Sequence, residues 1–451
     1  MPASDGDGRE PLSVEDARIL ALEEGPVRGH TCKLVLLDGS RGVEQLRAHV
    51  GSRLDRERRL GLRLIEGDAP AWAPDPDVEI DRQVRDAGRV DDEGLRATVG
   101  ALMAERLPRD RPLWALDVVA VEGGRTALVW RIHHALADGM TAMRMVRRVL
   151  LDDEPASDAG AVQPPSAGAA GFAAGPGVAE HGLSVAEREG AAHPRQPAIS
   201  RLAPLRLALR VPVALERELA RRGAETALDA EIGARRAVAF VDVELDEVKR
   251  IAHALPERAT VNDVVLTAVA GGLRAWLEGL DAHPATLRVK VPVSLHHPGD
   301  DAGNRDSFIC VDLPIDEPDP VARLGAIAAE TRARKRDHDA ETLDAFFRDL
   351  THLSSSLERF AEHWAESPRV FTLNVSNVPG PHGPLSVLGA PVASLHSLAE
   401  IGHRHALRVA VVSAGGRIGF GLCADADAIG SPQPIADGVA AELSALTRAL
   451  G

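Results

Sequence analysis

Residues 125–140 read RTALVWRIHHALADGM, and this stretch joins a strand pattern to a helix pattern. The segment before it, LWALDVVAV, is also apolar, and the link EGG separates the two runs. Two apolar runs joined by a short glycine-containing link predict a β-hairpin. The segment after it, MTAMRMVRRVL, repeats its apolar residues at helical spacing. We therefore predict a hairpin that ends at two adjacent histidines and leads directly into a helix.

The same mixture of strand and helix patterns lies on both sides of residues 151–200. Before them, HTCKLVLLDG is typical of a strand followed by an Asp-Gly turn. After them, TVNDVVLTAVAGGLRAWLEGL is typical of a buried helix, and HALRVAVVSAGGRIGFGLCAD of a hairpin. Residues 151–200 are rich in Ala, Gly, Pro and Ser without apolar periodicity, which predicts a disordered linker. We predict an α/β protein of two sandwich-like halves, residues 1–150 and 201–451.

The composition limits the classes of function. The 451 residues are 45% hydrophobic and carry a formal net charge of −15. Phosphate binding needs a basic face, so this balance argues against a nucleic-acid-binding protein. Cys32, Cys310 and Cys423 are far apart and lack the spacing of metal ligands, so we expect free thiols in a reducing cytosol and no metal. The polar N-terminus and the lack of a bilayer-length apolar run favour a cytoplasmic protein. The oligomeric state stays open.

The adjacent histidines are the candidate reactive groups. Neighbouring side chains on a strand point to opposite faces, so His133 and His134 are not expected to share one pocket. No third ligand with suitable spacing accompanies them, which argues against a metal site. Gly139 allows φ > 0 and a sharp turn, and Asp138 can hold that turn by binding backbone N–H groups or an arginine. An imidazole held at a strand end suits a general base. A histidine there is also often structural, and the pattern alone leaves the two interpretations equal.

A family resemblance rests on several motifs that occur in order. The segment HHALADG is the HHxxxDG signature of the coenzyme A-dependent acyltransferase superfamily. RPLWALDVV resembles the PLW motif of the bacterial wax ester synthase/diacylglycerol acyltransferase family, and TVNDVVL resembles its ND motif. GNRDSF and NVSNVPGP resemble later blocks of that family. The resemblance covers nearly the whole chain outside residues 151–200.

The resemblance implies a fold and a reaction. The fold is two chloramphenicol acetyltransferase-like subdomains, with a central substrate tunnel. The co-substrate is acyl-CoA, no cofactor is bound, and the acceptor is an alcohol or diacylglycerol, so that the product is a wax ester or a triacylglycerol. His134 is then the general base that takes the proton of the acceptor hydroxyl as its oxygen attacks the thioester. His133, Asp138 and Gly139 are then supports of the loop.

The other motifs supply the substrate-binding residues that the resemblance implies. They are Pro112, Leu113, Trp114, Asn262, Asp263, Ser376 and Asn377. Asn262 and Ser376 are also candidates to donate hydrogen bonds to the reaction's oxyanion. Each motif has a structural alternative. Trp114 can be a core anchor, Asn262 and Asp263 can cap a helix, and SNVPGP can be only a stiff turn.

Some positions depart from the family pattern and leave the acceptor open. Gln83 stands where a histidine is common, Ala115 where an acidic residue is usual, and Ala414 where an aromatic residue is common. The sequence therefore does not decide between wax esters and triacylglycerol, nor the acyl chain length. One alternative is a related acyltransferase for a specialised alcohol or a carrier-bound substrate. Another is a non-catalytic lipid-binding protein, which the intact HHALADG argues against.

An arginine-rich segment bears on membranes. Residues 201–222 place six arginines among Leu, Val and Ala in an otherwise acidic chain. Such a segment can lie on an anionic lipid surface, such as the inner membrane or a lipid droplet. The alternative is a helix that packs on its own domain with its arginines in solvent. The sequence leaves both open.

Overall fold

The computed structural model describes residues 8–67, 69–153, 226–294, 306–337 and 370–451. Most of the predicted linker and the whole arginine-rich segment lie outside the described residues. The elements of the first half are β1 (Glu10–Pro11), α1 (Val14–Ala21), β2 (His30–Leu37), α2 (Val43–Gly51), β3 (Leu62–Ile65), β4 (Ala71–Pro74), α3 (Ile80–Gln83), β5 (Val84–Val90), α4 (Asp92–Ala104), β6 (Trp114–Val121), β7 (Arg125–His133) and α5 (Gly139–Met145), which continues as a π-helical turn (Val146–Leu150). The elements of the second half are β8 (Arg236–Glu244), α6 (Leu245–Ala254), α7 (Val261–Glu278), β9 (Thr286–Ser294), β10 (Asp306–Pro314), α8 (Pro320–Asp337), β11 (Leu373–Pro379), β12 (Ser386–Val387), β13 (Ala390–Ala399), β14 (Leu407–Ala414), β15 (Arg417–Asp425) and α9 (Gln433–Leu450).

Six strands form the first large sheet, in the order β12-β13-β2-β7-β6-β5. β6 and β7 pair antiparallel, so the predicted hairpin is confirmed. Along β7, Trp130 and Ile132 belong to the apolar core that includes α5, whereas Ala127 and Val129 belong to the core that includes α4. β7 is therefore buried on both faces, and this packing holds its end rigidly. Strands β1, β4 and β3 form a separate small sheet.

The second large sheet has the order β10-β9-β11-β14-β15-β8. One face packs against helices α6 to α9 and forms the largest apolar core. The predicted buried helix is confirmed as α7, whose residues from Asp263 to Leu273 are all buried. On β14, Leu407, Val409 and Val411 belong to this core. Because side chains alternate along a strand, the intervening residues of β14 point away from the helices, towards the first sheet.

The second half of the chain contributes two strands to the first sheet. β13 pairs antiparallel with β2, and β12 pairs with β13. β13 crosses β15 so closely that a Cβ at Gly419 would lie 2.1 Å from the carbonyl oxygen of Leu395. A Cβ at Gly421 would lie 2.0 Å from the carbonyl oxygen of Ser397. Only glycine fits such a contact between backbones. The boundaries at residues 150 and 201 stay predictions, and this strand exchange interlocks the two sheets across them.

Candidate active site

Backbone hydrogen bonds fix the two adjacent histidines from both sides. The N–H of His133 donates to the carbonyl of Leu113 at 2.9 Å, just before β6. The N–H of His134 donates to the carbonyl of Gly29 at 2.8 Å, just before β2. The PLW segment, residues 112–114, thus supports the histidine pair through its backbone. The strands on either side of β7 therefore determine where its end lies.

The His133 ring is fully buried, with a hydrogen bond at one nitrogen and a carboxylate near the other. Its Nδ1 accepts a hydrogen bond from the N–H of Ala135 at 3.1 Å. Because a backbone amide can only donate, Nδ1 carries no proton, and the neutral ring carries its proton on Nε2. That Nε2 lies 3.5 Å from a carboxylate oxygen of Glu23. These contacts fix the tautomer and the orientation of the ring.

Glu23 is a site residue that the sequence analysis does not identify. Its side chain is 2% exposed, and Arg109 donates to it at 2.7 Å. Burial raises the pKa of Glu23, but hydrogen bonds from His133 and Arg109 outweigh burial and leave that pKa below its usual value. Glu23 is therefore an anion beside His133. It lies in the polar segment LEEGP, where no local pattern distinguishes it from its neighbour Glu24.

Gly29 lies directly against the His133 ring. Its φ is +67°, and a Cβ there would lie 2.7 Å from Nε2 of His133. An L side chain at this position would strain the backbone and push on the ring. Gly29 therefore sets the position of both histidines, since its carbonyl also holds the His134 peptide.

The His134 ring has different surroundings. Its side chain keeps part of its surface accessible, while its Nδ1 is enclosed and has no hydrogen-bond partner among the described residues. Burial and, to a smaller extent, the Arg408 guanidinium lower the pKa of His134, the Asp138 carboxylate opposes both, and the resulting pKa is about 4. The ring is thus neutral near pH 7 and can accept a proton. His134 therefore differs from His133 in two ways. Part of its ring surface is accessible, and no hydrogen bond holds its Nδ1.

Asp138 and Gly139 begin helix α5, which follows the histidines. Asp138 is the N-cap residue, and its carboxylate accepts a hydrogen bond from the N–H of Thr141 at 2.6 Å. The expected contact with backbone N–H groups is confirmed. The left-handed conformation expected at Gly139 is wrong, because this residue is the first of α5 and has no positive φ. Instead, a Cβ there would lie 3.1 Å from a methyl carbon of Val378, so glycine lets α5 approach β11 closely.

The SNVPGP turn lies beside α5. A Cβ at Gly380 would lie 3.4 Å from the terminal methyl of Met143 on α5. The N–H of Gly380 donates to the carbonyl of Ser413 at 2.7 Å, which fixes the turn to β14. Ser376 and Asn377 on β11 are both partly exposed. The tertiary structure thus brings this motif next to the helix that follows the histidines. In the sequence, Ser376 comes 237 residues after Gly139.

Trp114 of the PLW segment is part of the apolar core. It is 1% exposed, and its Nε1 donates to the carbonyl of Leu60 at 2.8 Å. Its ring meets Trp130 edge to face, with centroids 5.9 Å apart. Gln83 donates to the carbonyl of Pro112 at 3.0 Å and holds the start of the segment. These contacts support the core-anchor alternative, and a substrate contact by Pro112, Leu113 or Trp114 stays a prediction.

The ND motif lies in the first turn of α7. Thr260 and Asp263 form a reciprocal cap, with each side chain accepting the other's backbone N–H. The second carboxylate oxygen of Asp263 accepts from the hydroxyl of Thr331 at 2.7 Å and thereby ties α7 to α8. The capping alternative is thus the one that the structure supports for Asp263. Asn262 is partly exposed beside it, and its contact with substrate stays a prediction.

Lys33 is a second site residue that the sequence analysis does not identify. It lies on β2, is 1% exposed, and its ammonium donates to the hydroxyl of Ser397 at 2.6 Å. Burial lowers the pKa of Lys33 to about 8, the Asp138 carboxylate opposes this decrease, and the Arg408 cation adds to it. Lys33, Asp138 and Arg408 therefore influence one another at the same place as His134. A lysine within the apolar run HTCKLVLL is the signal that marks this position.

The described residues contain neither a cluster suited to a metal ion nor a helix suited to crossing a membrane. Within the described ranges, no group of three or more His, Cys, Asp and Glu side chains has an arrangement that could hold a metal ion. In the same ranges, no helix combines the length and the apolar character needed to cross a bilayer.

Two family models match most of the chain. The wax ester synthase/diacylglycerol acyltransferase catalytic domain matches residues 12–265. The C-terminal domain of the same family matches residues 302–447.

Curated relatives and solved structures give similar results. A probable diacylglycerol O-acyltransferase of Mycobacterium tuberculosis is 30% identical over 372 residues, which cover 78% of each chain. A second putative diacylglycerol O-acyltransferase of that species is 27% identical over 461 residues, covering 98% of this chain and 96% of the relative. The structure of a wax ester synthase/diacylglycerol acyltransferase from Marinobacter aquaeolei VT8 aligns with a TM-score of 0.69 at 23% identity, over 98% of this chain and all of that one. The first condensation domain of the CDA synthetase aligns with a TM-score of 0.55 at 14% identity, over 99% of this chain and 98% of that one.

Proposed function

The chain belongs to the wax ester synthase/diacylglycerol acyltransferase family, and from this premise we propose that it transfers an acyl group from acyl-CoA to a hydroxyl group. The acceptor is diacylglycerol or a long-chain alcohol, and the product is a neutral lipid ester. The observation that carries the proposal is the state of His134. Its ring is neutral, partly accessible and held at a rigid strand end, which is what a general base requires.

The reaction needs a base because an alcohol is a weak acid. In the proposed step His134 takes the hydroxyl proton while the acceptor oxygen forms a bond to the thioester carbonyl carbon. The carbonyl oxygen then carries the negative charge of a tetrahedral intermediate. When the intermediate collapses, the bond from carbon to sulfur breaks. The imidazolium of His134 returns its proton to the departing thiolate, so that free coenzyme A and the ester leave a neutral histidine.

The neighbouring residues are proposed to act as supports. His133 has a hydrogen bond at one nitrogen and a carboxylate near the other, and it has no accessible surface with which to reach a substrate. Asp138 caps α5, and Gly139 lets that helix lie against β11. Together they hold the turn on which His134 lies. A displacement of about 1 Å in such a turn can cost a factor of about 100 in rate.

The substrate-binding residues remain part of the proposal. Ser376 and Asn377 are partly exposed on the strand that α5 contacts, which supports a place for them along the substrate path. The filled apolar core beside α5 keeps water away from this side of the histidine turn, and water would otherwise compete with the acceptor for the thioester.

A test of the proposed function measures products. The purified protein is incubated with palmitoyl-CoA and either 1,2-dipalmitoylglycerol or hexadecanol, while thiol release and ester formation are followed. A panel that adds sterols, short alcohols and carrier-bound acceptors tests the alternative of a specialised substrate. Ester formation that the His134→Ala variant lacks is the expected result. Equal ester formation by the two proteins, or none by the wild type with any acceptor, contradicts the proposal.

We also infer that the protein meets its acceptor at a lipid surface in the cytoplasm. The exposed surface of α5 and of the π-helical turn that continues it supports this inference. Met140 is 46% exposed, and three exposed arginines follow it, namely Arg144, Arg147 and Arg148. Arg144 and Arg148 share the Glu57 carboxylate at 3.2 Å, which leaves a net positive charge on the helix that carries the exposed Met140. An exposed apolar side chain with a net positive charge nearby suits a surface of anionic lipids. The helix that carries them begins at the proposed active-site turn.

Vesicle flotation tests the lipid surface. Changing Arg144, Arg147 and Arg148 to Glu is expected to abolish flotation with vesicles that contain phosphatidylserine. A matched control changes three exposed arginines elsewhere, Arg89, Arg250 and Arg258, to Glu and is expected to keep flotation. Equal flotation of the two variants contradicts this surface as the point of contact.

A further inference from the structure

Arg408 is a charged residue on the inner face of the second sheet. Its neighbours along β14, Leu407 and Val409, belong to the core beneath the helices. Because side chains alternate along a strand, Arg408 points the other way, towards the first sheet. It is only partly exposed, and its Nε is enclosed by protein. None of the family motifs that the sequence contains includes this residue.

A short series of hydrogen bonds connects Arg408 to the histidine turn. Nη1 of Arg408 donates to the carbonyl of Glu400 at 3.1 Å. The N–H of Glu400 donates to the carbonyl of His30 at 3.2 Å, at the first residue of β2. The residue before it, Gly29, accepts from the N–H of His134. Arg408 therefore lies where β14, the end of β13 and the turn that bears His134 meet.

The charge of Arg408 has no counterion within ion-pair distance. Two other buried arginines of the same region have one. Arg131 lies 3.0 Å from Asp117, and Arg236 lies 2.7 Å from Glu400. No carboxylate among the described residues lies within 4 Å of Arg408, and the Glu400 carboxylate acts on it only from a greater distance. A partly buried cation without a counterion is unfavourable, and such groups are concentrated at functional sites.

We propose that Arg408 donates hydrogen bonds to the oxyanion that forms when the acceptor oxygen attacks the thioester carbonyl. This inference rests on the proposed function, because it assigns a role in that reaction. Negative charge develops on the carbonyl oxygen in the transition state and disappears when the bond from carbon to sulfur breaks. A guanidinium that is already fixed and undercompensated stabilises that charge without reorganising. Arg408 remains protonated throughout and exchanges no proton.

The electrostatic surroundings of His134 give a second readout. The charged and titratable groups that face it are Arg408 from β14, Asp138 from the start of α5, and His133 from the end of β7. Arg408 disfavours the imidazolium and thereby lowers the pKa of His134. Removing this cation therefore raises that pKa, and the acid limb of the pH profile moves to higher pH. A residue that acts only in packing would not move this limb.

The experiment compares Arg408→Gln and Arg408→Lys with Arg417→Gln, a control on the neighbouring strand β15. Arg417 is partly exposed and forms its ion pair with Glu244. Each variant is assayed with palmitoyl-CoA and the acceptor that the wild type uses, after its Tm has been measured. We expect Arg408→Gln to lower kcat about 10²-fold to 10³-fold, as the loss of one oxyanion donor does. We expect its KM for acyl-CoA to change less than about threefold, because the oxyanion exists only in the transition state.

The remaining variants decide between the possible roles. Arg408→Lys keeps the charge but not the planar fork of donors, so we expect a kcat about tenfold below the wild type. Added guanidinium chloride at millimolar concentration is expected to restore part of the activity of Arg408→Gln only. A folded Arg408→Gln protein with kcat within threefold of the wild type overturns the inference. If Arg408→Gln does not fold, an unchanged kcat in Arg408→Lys overturns it.

The outcome is separable from that of the proposed function. If His134→Ala abolishes ester formation while the Arg408 variants retain it, only the inference about Arg408 fails. If His134→Ala retains full activity, the proposed function itself fails, whatever the Arg408 variants do.

Discussion

The charged groups near His133 and those near His134, at the end of β7, differ in their partners. On the side of His133, buried charged groups have close partners. Glu23 binds His133 and Arg109, and Arg131 lies 3.0 Å from Asp117. On the side of His134, the cations Lys33 and Arg408 have no carboxylate within 4 Å among the described residues, and their hydrogen bonds go to a hydroxyl and a backbone carbonyl.

Enclosed polar atoms without a hydrogen bond occur on both sides, among them Nε2 of His133 and Oε1 of Glu23, so the ion pairs make the difference. Nδ1 of His134 and Nε of Arg408 are enclosed without a hydrogen bond from the described residues. The Lys33 ammonium has one hydroxyl partner and a pKa lowered to about 8 by burial. Groups that are already paired hold a shape, whereas unpaired groups retain the capacity to interact with substrate. The comparison therefore supports the proposal that the His134 side is the reactive side and the His133 side its scaffold.

The largest expected effect separates the two histidines. We expect His134→Asn to lower kcat about 10³-fold, because a general base contributes about 10²-fold to 10⁴-fold. Its free energy of unfolding should change by less than about 1 kcal/mol, because the ring has few hydrogen bonds to lose. We expect His133→Asn to lower the free energy of unfolding by about 2 kcal/mol, since Glu23 would lose a buried partner.

Kinetics with purified variants and urea unfolding provide both measurements. If His134→Asn destabilises the fold more than His133→Asn does, the assignment of scaffold and reactive sides is reversed.

The second prediction tests the scaffold side alone. Asp117 is 2% exposed and binds both Arg131 and Arg85, the latter at 2.8 Å. We expect Asp117→Asn to lower the free energy of unfolding by about 3 kcal/mol, because it removes the buried counterion of Arg131 and leaves only the more exposed Glu105 at 3.4 Å. The activity per folded molecule should stay within about threefold, since neither arginine faces His134.

Asp110→Asn is the control, since Asp110 forms an exposed ion pair with Arg82. That change should lower the free energy of unfolding by about 1 kcal/mol or less. A similar loss of stability in the two variants shows that the network around Asp117 is no stronger than a surface pair.

The third prediction concerns the glycine that contacts the scaffold histidine. We expect Gly29→Ala to lower the free energy of unfolding by about 2 kcal/mol through backbone strain and contact with the His133 ring. It should also lower kcat about tenfold, because the displaced turn misplaces His134. Gly25→Ala is a matched control, with φ of +53° and no atom within 4 Å of its Cβ.

Gly25→Ala should share the backbone strain and keep the kcat of the wild type. Circular dichroism melts and initial rates distinguish the two variants. A normal kcat in Gly29→Ala means that the turn does not depend on this contact.

The smallest expected effect is in the pH dependence. Burial lowers the pKa of His134 to about 4, so the ring stays neutral and able to accept a proton down to about pH 5. We therefore expect kcat/KM to change less than about twofold between pH 5 and pH 8. A base with the ordinary pKa of histidine would lose about 30-fold over the same range, because it protonates below pH 6.5.

Initial rates in a constant-ionic-strength buffer series measure this profile. An acid limb centred near pH 6.5 would show that the His134 ring is solvated and that burial does not lower its pKa. The proposed contrast between His134 and its scaffold would then be too large.

Local patterns in the sequence predict much of the fold and part of the site. The hairpin of β6 and β7, the buried helix α7 and the α/β class follow from apolar periodicity. The position of the two histidines at a strand end follows from the same pattern. The conformation at Gly139 does not, because a glycine serves a sharp turn and a close helix contact equally well. Only the neighbouring Val378 shows which of the two applies.

For some motif residues the sequence allows two roles, and the tertiary structure supports one of them. The sequence leaves open whether Asp263 caps a helix or supports a substrate, and the reciprocal bonds with Thr260 support the cap. It likewise leaves open whether Trp114 anchors the core, and burial against Trp130 supports the anchor. In both cases the residue type permits two roles, and the packing partner decides between them.

The sequence by itself determined the elements, the family and the identity of the candidate base, because these depend on patterns within short segments. Only the tertiary structure brought Glu23, Lys33 and Arg408 to the histidine turn. Glu23 and Lys33 lie more than 100 residues before His134, and Arg408 lies 274 residues after it. Strand pairing and the hydrogen bonds between strand ends bring these distant parts of the chain together. Strand pairing and burial act between distant residues, so no local pattern records them. The same long-range packing lowers the pKa of His134 and leaves Arg408 without a carboxylate within 4 Å among the described residues, and these two features distinguish the proposed reactive side from its scaffold.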